Sequence, residues 1–334
     1  MKSSGRIDAF WPCRWAFALA CLCLFCAAGI RAGALPEVIS GGADRAIKRW
    51  DTSGKLAGIL GSHDDAVNAL VLVPGHADTL ISAGSDKTWK VWDLGRGRLI
   101  ASVETPGGAV LALAVSPDGT LIATGGDDRH IRLWNRATGR QLADVEAHGD
   151  AVRALQFTSD GRTLVSGSAD KLLRTWRVTG DDKTAALEYQ SNIVAHDDVI
   201  TGLAVAPGDQ EVASVSADGY LKTWRLGGGG LINRTRVSDR PVWAVAFSPN
   251  GRTIATGDED GKIRLWNAIT GMPLPFSAGH ERAAVYALAW TSDGSMIVSG
   301  GADKTVRYWS VATGREQAKI AAHDGAVRAL VVVP

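Results

Sequence analysis

The residues of this sequence best suited to chemistry are a recurring set of Ser or Thr, His and Asp, the groups of an acyl-transfer triad. One aspartate recurs seven times, each time with a Ser or Thr four residues before it. Four histidines lie 22 or 23 residues before such an aspartate, and a fifth stands in the last unit: His63, His148, His196, His280 and His323. A catalytic site is needed once, so five copies favour a framework role, and we predict no catalytic residue.

Metal and thiol chemistry are also disfavoured by the sequence. The cysteines all lie near the N-terminus (Cys13, Cys21, Cys23 and Cys26), and the chain after residue 34 has none. That part of the chain therefore cannot contain a disulfide, a catalytic thiolate, zinc held by cysteine or a covalently attached haem. The histidines lack metal-ligand spacing with a carboxylate on one helix. We predict no metal and no other cofactor.

A sevenfold repeat positions these residues. Seven tryptophans are spaced 42, 42, 42, 48, 42 and 43 residues apart: Trp50, Trp92, Trp134, Trp176, Trp224, Trp266 and Trp309. The recurring aspartate lies six positions before each of them: Asp44, Asp86, Asp128, Asp170, Asp218, Asp260 and Asp303. Apolar and polar residues alternate with a period of two between turn signals, which predicts strands. Each unit is therefore interpreted as a four-stranded antiparallel meander of about 42 residues.

The units resemble WD repeats, the blades of a β-propeller. The Trp-Asp ending is present at Trp50-Asp51 and Trp92-Asp93, and the Gly-His opening at Gly279-His280. The resemblance covers residues 37–334. It implies an all-β, seven-bladed propeller of four-stranded antiparallel blades, in which the repeated Trp, Ser or Thr, His and Asp form a buried hydrogen-bonded network.

Two units depart from this network, because Pro106-Gly107-Gly108 and Ser238-Asp239 stand in place of the histidine. We expect these two blades to be looser than the others. The ends of the chain are expected to complete one blade together, with one C-terminal strand (residues 327–331) joining three N-terminal strands. Such closure removes unpaired sheet edges.

Charge is balanced, with 36 Lys and Arg, 35 Asp and Glu and a net charge of +1, which disfavours nucleic-acid binding. A basic residue two positions before every repeated tryptophan is interpreted as framework: Lys48, Lys90, Arg132, Arg174, Lys222, Arg264 and Arg307. A second row follows the recurring aspartate directly: Arg45, Lys87, Arg129, Lys171, Gly219, Gly261 and Lys304. This second row is interpreted as ordinary surface rather than a rim for an acidic partner, because aspartates in adjoining loops offset its charge.

Function is expected where one blade differs from the others. Near the start of the innermost strand, one position is always small, which predicts crowding at the ring axis: Ala69, Ala112, Ala154, Gly202, Ala244, Ala287 and Ala329. The position before it varies freely: Asn68, Leu111, Arg153, Thr201, Trp243, Tyr286 and Arg328. In the family resembled, this position is part of the face that contacts partners, and Tyr, Trp and Arg are enriched in hot spots. The alternative is that these are ordinary exposed strand ends.

Residues 1–34 have the pattern of a secretory signal peptide. Basic residues precede an apolar run from Trp15 to Ile30, and small residues follow. We expect cleavage after Ala34, which leaves residues 35–334 as one domain. The alternative is an uncleaved anchor, for which the apolar run is slightly short. The Ala-, Gly- and Arg-rich composition favours a bacterial chain in the periplasm, or secreted, without membrane insertion after cleavage.

The sequence thus predicts a non-catalytic, secreted or periplasmic scaffold for protein–protein interaction. We expect it to act as a monomer that binds one or more proteins and no nucleic acid. The alternative is a propeller enzyme or small-ligand binder that uses the central channel. That alternative requires polar groups converging on the axis, where the sequence places Ala and Gly.

Overall fold

The computed structural model describes residues 34–334, and every regular element in that range is a β-strand. These strands form seven antiparallel sheets of four strands each. Within the described range, no helix is long and apolar enough to cross a membrane. The predicted signal peptide lies outside the described residues, apart from Ala34, so its cleavage stays a prediction.

The first three strands are β1 (Val38–Gly42), β2 (Ala46–Trp50) and β3 (Leu56–Ser62). Blade 1 follows with β4 (Val67–Val73), β5 (His76–Gly84), β6 (Thr88–Asp93) and β7 (Arg98–Glu104). Blade 2 contains β8 (Val110–Val115), β9 (Leu121–Gly126), β10 (His130–Asn135) and β11 (Gln141–Glu146). Blade 3 contains β12 (Val152–Phe157), β13 (Thr163–Ser168), β14 (Leu172–Thr179) and β15 (Ala186–Val194).

The other blades continue in the same order from the axis outwards. Blade 4 contains β16 (Ile200–Val205), β17 (Glu211–Ser216), β18 (Tyr220–Arg225) and β19 (Leu231–Arg236). Blade 5 contains β20 (Val242–Phe247), β21 (Thr253–Asp258), β22 (Lys262–Asn267) and β23 (Ala278–Gly279). Blade 6 contains β24 (Val285–Trp290), β25 (Met296–Gly301), β26 (Thr305–Ser310) and β27 (Glu316–Ala321).

The last strand, β28 (Val327–Val332), closes the ring. It pairs antiparallel with β1, from Val38 opposite Val332 to Gly42 opposite Val327, and so completes blade 7 with β1, β2 and β3. The predicted fold is confirmed: the chain is an all-β propeller of seven four-stranded antiparallel blades, closed by one C-terminal and three N-terminal strands.

The hydrophobic core is divided into seven clusters, one between each pair of neighbouring blades. Each repeated tryptophan packs into the cluster shared with the preceding blade. Trp134 of blade 2, for example, joins the cluster that contains Ile81 and Trp89 of blade 1. Burying apolar surface on both sheet faces is the main stabilising contribution, so a single blade cannot be stable without its neighbours.

Candidate functional site

A hydrogen-bonded chain runs through the interior of blade 1. The Trp92 Nε1 group donates to Ser82 Oγ at 2.8 Å, and that hydroxyl lies 2.7 Å from His63 Nε2. Since Ser82 Oγ accepts from the indole, its own proton is directed to Nε2, and His63 Nδ1 donates to the Asp86 carboxylate at 2.9 Å. Burial lowers the pKa of His63 below its ordinary value, which favours this neutral ring.

Four other blades repeat the arrangement. The Trp, Ser, His and Asp sets are Trp176, Ser166, His148 and Asp170 in blade 3; Trp224, Ser214, His196 and Asp218 in blade 4; Trp309, Ser299, His280 and Asp303 in blade 6; and Trp50, Ser40, His323 and Asp44 in blade 7. The connectivity is that of a Ser-His-Asp triad. All five serines are completely buried and already accept an indole N–H, so none of them can reach a substrate.

The aspartates of these sets are held ionised. Burial by itself raises the pKa of Asp170, but hydrogen bonds from His148 and the Gly149 amide outweigh it and lower the pKa to about 2. The pKa of Asp218 is likewise lowered to about 2, because hydrogen bonding and the charge of His196 outweigh burial. Each network therefore joins an ionised aspartate to a histidine and ties the loop before the innermost strand to the second strand of the same blade.

Blade 2 lacks the histidine and keeps part of the network. Trp134 Nε1 donates to Thr124 Oγ1 at 2.8 Å, and Arg132 Nη1 lies 2.7 Å from an Asp128 oxygen. A Cβ atom at Gly107 would overlap the Asp128 carboxylate. The backbone of the lead-in loop, the loop that precedes the innermost strand of the blade, therefore occupies the space of the missing histidine ring.

In blade 5 the buried aspartate is not the one that the repeat predicts. Trp266 Nε1 donates to Thr256 Oγ1 at 2.9 Å, but Asp260 is exposed, and the carboxylate buried in this blade is that of Asp258, which pairs with Arg264. In blade 1 the position equivalent to Asp258 is Gly84, where an added Cβ would come within 2.7 Å of His63. Because blade 5 has no histidine there, a larger side chain fits. The placement of Asp260 in the network is therefore corrected to Asp258.

The freely varying row lies on β-bulges. In blade 1 Val67 pairs with Gly84 and Ala69 with Ala83, which leaves Asn68 as the extra residue of the strand. The register shifts at the equivalent place in the other six innermost strands. A bulge redirects its extra side chain out of the regular pairing. This explains why the position tolerates seven different side chains.

The bulges bring all seven side chains to one end of the central channel. They surround a depression of about 370 Å³, together with Ala326: Asn68, Leu111, Arg153, Thr201, Trp243, Tyr286 and Arg328. We call these seven the mouth residues. The small residues that follow them line the channel below, as part of a second depression of about 240 Å³: Ala69, Ala112, Ala154, Gly202, Ala244, Ala287 and Ala329.

The mouth has an aromatic side on blades 5 and 6. The rings of Trp243 and Tyr286 meet edge to face, with centroids 5.8 Å apart and an interplanar angle of 70°. The Trp243 Nε1 group donates to the Glu259 carboxylate, which fixes the indole. Burial raises the pKa of Tyr286, and the negative charge of Glu259 adds to the effect, while the positive charge of Arg328 opposes it. Tyr286 is therefore a neutral phenol with an O–H group to donate.

The rest of the mouth is polar. Asn68 Nδ2 donates to Ser85 Oγ and to the Val110 carbonyl, both at 2.9 Å. Arg328 Nη1 donates to Asn68 Oδ1 at 3.0 Å. Thr201 Oγ1 donates to the Val242 carbonyl of the next blade. These contacts fix Asn68, Thr201 and Arg328 relative to neighbouring blades, and all seven mouth residues lie on strands rather than on loops.

Glu259 was not predicted from the sequence, although a signal was present. It occupies the position before the recurring aspartate, where the sister repeats carry small residues or aspartate: Ala43, Ser85, Asp127, Ala169, Ala217 and Ala302. A comparison of this position across the repeats would have identified Glu259 as the only glutamate.

The second row has a common backbone conformation, which was not foreseen from the sequence. Its five basic members, Arg45, Lys87, Arg129, Lys171 and Lys304, all have φ between 65° and 74°, in the left-handed region, and are exposed. The other two members are glycines because neighbouring loops press on them: an added Cβ at Gly219 would overlap the Ser238 carbonyl, and one at Gly261 would lie 2.6 Å from the Ala283 carbonyl.

The opposite end of the channel has a different chemistry. A groove of about 510 Å³ there is formed by the innermost strands and following turns of blades 1 to 4, with Pro74, Pro117, Phe157 and Pro207 in its lining. It is mainly apolar and offers no set of converging charged groups. No cluster of three or more His, Cys, Asp or Glu in residues 34–334 is placed to hold a metal ion.

Six stretches of the chain match the family model described as "WD domain, G-beta repeat" (WD40): residues 54–93, 97–135, 139–177, 188–225, 232–267 and 272–310. Together they make up more than half of the chain. Among solved structures, the crystal structure of the computationally designed Ika8 protein has a TM-score of 0.68 and 31% sequence identity, over 88% of this chain and 86% of that chain.

Curated relatives match over short segments. Nuclear distribution protein nudF 2 of Aspergillus clavatus is 37% identical over 90 residues, or 26% of this chain and 20% of that protein. Small ribosomal subunit protein RACK1y of Oryza sativa subsp. japonica is 33% identical over 84 residues, or 25% of this chain and 24% of that protein. The chain therefore spans less than a quarter of the length of the relatives it matches.

Proposed function

Since the chain belongs to the WD40 repeat family, we propose that it is a non-catalytic scaffold for protein–protein interaction, exported to the periplasm of a bacterium or secreted. The observation that carries this proposal is the convergence of seven different side chains on one depression, while the residues around them repeat from blade to blade. Trp, Tyr and Arg at the centre of a rigid face are typical of interface hot spots.

The interior supports a scaffold rather than an enzyme. The five Ser-His-Asp sets are buried and satisfied within their own blades, so they stabilise the fold and offer no nucleophile. Below the mouth residues the channel is lined by small residues, so the polar groups that converge on the axis lie at the mouth and not inside the channel. The proposal accordingly includes protein partners and excludes nucleic acid, metals and cofactors.

A comparison of captured proteins tests the proposed face. The purified protein and its Trp243→Ala/Tyr286→Ala variant are used to capture partners from the extract of the source cells. We expect the variant to lose partners that the wild type retains, because the aromatic side of the mouth is gone. Tyr189→Ala is the matched control, since Tyr189 is an exposed aromatic residue on the outermost strand of blade 3. A folded double variant that retains every partner would show that the face is wrong.

Location and oligomeric state belong to the same proposal. Export depends on the signal-peptide pattern in residues 1–34, with cleavage after Ala34. The mass of the protein isolated from the source cells should correspond to a chain that begins at Leu35, and its mass in solution to a monomer. Full-length protein confined to the cytosolic fraction would contradict export.

A further inference from the structure

Several hydrogen-bond donors of the mouth residues have no partner among the residues that the structure describes. Within residues 34–334, the Arg153 guanidinium makes no hydrogen bond or ion pair, and it is exposed. Arg328 bonds Asn68 through one Nη group, which leaves its other donors available. The phenol of Tyr286 also has no hydrogen-bond partner in the described part of the chain. Two guanidinium groups and one O–H therefore offer donors at the same depression.

The acidic groups near the mouth are placed differently. Glu259 accepts from Trp243 Nε1 and is part of the aromatic side. Exposed aspartates lie in the loops that lead into the innermost strands of blades 1, 3, 4 and 7, outside the lining of the depression: Asp64, Asp65, Asp150, Asp197, Asp198 and Asp324. The corresponding loops of blades 5 and 6 carry balanced charge: Asp239, Arg240, Glu281 and Arg282. Some bond the backbone of their own loop, as Asp65 does with the Ala66 amide at 2.7 Å. The centre therefore favours one negative charge, and the aspartates beside the mouth residues of blades 1, 3, 4 and 7 disfavour a second.

Arg153 and Arg328 belong to blades 3 and 7, so they approach the depression from nearly opposite sides of a seven-bladed ring. The aromatic pair Trp243 and Tyr286 occupies blades 5 and 6, between them. A group that bonds the arginines consequently lies beside an aromatic surface. The volume of about 370 Å³ is near the lower end of ligand pockets, roughly 300–1,000 Å³, and suits a short peptide segment rather than a domain.

On the basis of the proposed function, we infer that the mouth binds an exposed peptide segment of the partner that carries a single Asp or Glu next to an apolar side chain. The carboxylate accepts from Arg153, Arg328 and the Tyr286 hydroxyl, and the apolar side chain packs on Trp243. Basic or neutral residues flank this pair, because the lead-in aspartates lie around it. A run of acidic residues binds less tightly than a single one.

Selection from a display library of random linear peptides tests this inference and does not require the partner to be identified. We expect wild-type protein to enrich peptides with one acidic residue beside an apolar or aromatic one. Peptides with several consecutive acidic residues should be depleted. A library that yields no binder, or an enriched set without the acidic residue, overturns the inference.

The strongest selected peptide is then titrated against variants. Arg153→Gln should weaken binding by about tenfold, as should replacement of the acidic peptide residue by its amide, and the two changes together should cost little more than one. Arg153→Lys should restore part of the affinity. Lys171→Gln removes an exposed positive charge away from the depression and should leave binding unchanged. If the loss of affinity caused by the two changes together equals the sum of the two single losses in binding free energy, the acidic residue does not bind Arg153.

The two proposals fail in different ways. If the protein captures partners from extract, and the Trp243→Ala/Tyr286→Ala variant loses them, the scaffold function holds even when no acidic peptide is selected. If no partner is captured at all while an acidic peptide binds with Arg153-dependent affinity, the mouth is a peptide site and the scaffold function is wrong.

Discussion

The interior of the blades and the channel mouth use the same repeat in opposite ways. In the interior, five blades place Trp, Ser, His and Asp at matching positions with nearly identical distances, such as 2.7 Å from His63 to Ser82 and from His148 to Ser166. At the mouth, one repeated bulge position carries seven different side chains. Repetition thus identifies what holds the ring, and variation at a repeated position identifies where the molecule can discriminate between partners.

Loss of ring closure is expected to have the largest effect on the stability of the molecule. Deletion of residues 321–334 removes β28 and His323, so one edge of β1 becomes unpaired and Ser40 and Asp44 lose their hydrogen bonds to the histidine. We expect the cooperative thermal unfolding transition, followed by circular dichroism, to fall steeply or disappear. Deletion of Pro334 alone is the control and should melt like the full chain. Unchanged melting of the longer truncation would mean that closure does not stabilise the ring.

One histidine and one arginine, five residues apart, compare the two regions directly. His148→Ala removes one hydrogen bond from buried Ser166 and one from Asp170, leaves a cavity in place of the ring, and should lower the free energy of unfolding by roughly 2–4 kcal/mol. Arg153→Ala changes an exposed mouth residue and should alter it by less than about 0.5 kcal/mol. Urea unfolding of both variants gives the two values. Equal losses in the free energy of unfolding would show that the interior network and the mouth residues contribute alike to stability.

The change in folding stability with pH is expected to be smaller. The pKa of folded Asp170 is about 2, below its usual range, so its contribution to stability is present above about pH 4 and is lost as pH falls towards 2. The pKa of folded His63 is also lowered, so the unfolded chain binds protons first and stability declines as pH falls below about 6.5. Both effects make acid destabilising.

Tyr286 at the mouth should contribute nothing to this dependence, because burial raises its pKa further above its usual value, which already lies above this pH range. Urea unfolding measured from pH 8 to pH 5 should therefore show a shallower decline for His63→Gln and an unchanged slope for Tyr286→Phe. The reverse result would assign the pH response to the mouth.

Much of the fold followed from the sequence because the tryptophan spacing reports the repeat and each repeat can bury its faces only against its neighbours. The shared blade was predictable for the same reason, since otherwise β28 would have no partner and β1 would keep one unpaired edge. Asp258 could not be foreseen in place of Asp260, because the exchange depends on the space left by an absent ring. The β-bulges were not predicted from the sequence either, although the variable position that lies on them was recognised in every repeat.

The second row shows how packing overrides a local rule. Five basic residues adopt a conformation that glycine adopts more easily, while Gly219 and Gly261 are required by the carbonyls that face them. From the sequence, the two glycines interrupt a line of positive charge. In the structure they mark two turns at which a backbone carbonyl of the neighbouring loop occupies the space that a Cβ atom would need. The positive charge of this second row is therefore not evidence for a binding site.

The shared blade also has a consequence for the order in which the molecule is made. The hydrogen bonds of His323 with Ser40 and Asp44 join residues 283 and 279 positions apart, whereas the equivalent bonds of blade 1 span at most 23. Blades 1 to 6 can each pair their strands as they leave the ribosome. The ring itself cannot close until β28 has followed, so the first three strands wait with one edge open while blades 1 to 6 are made.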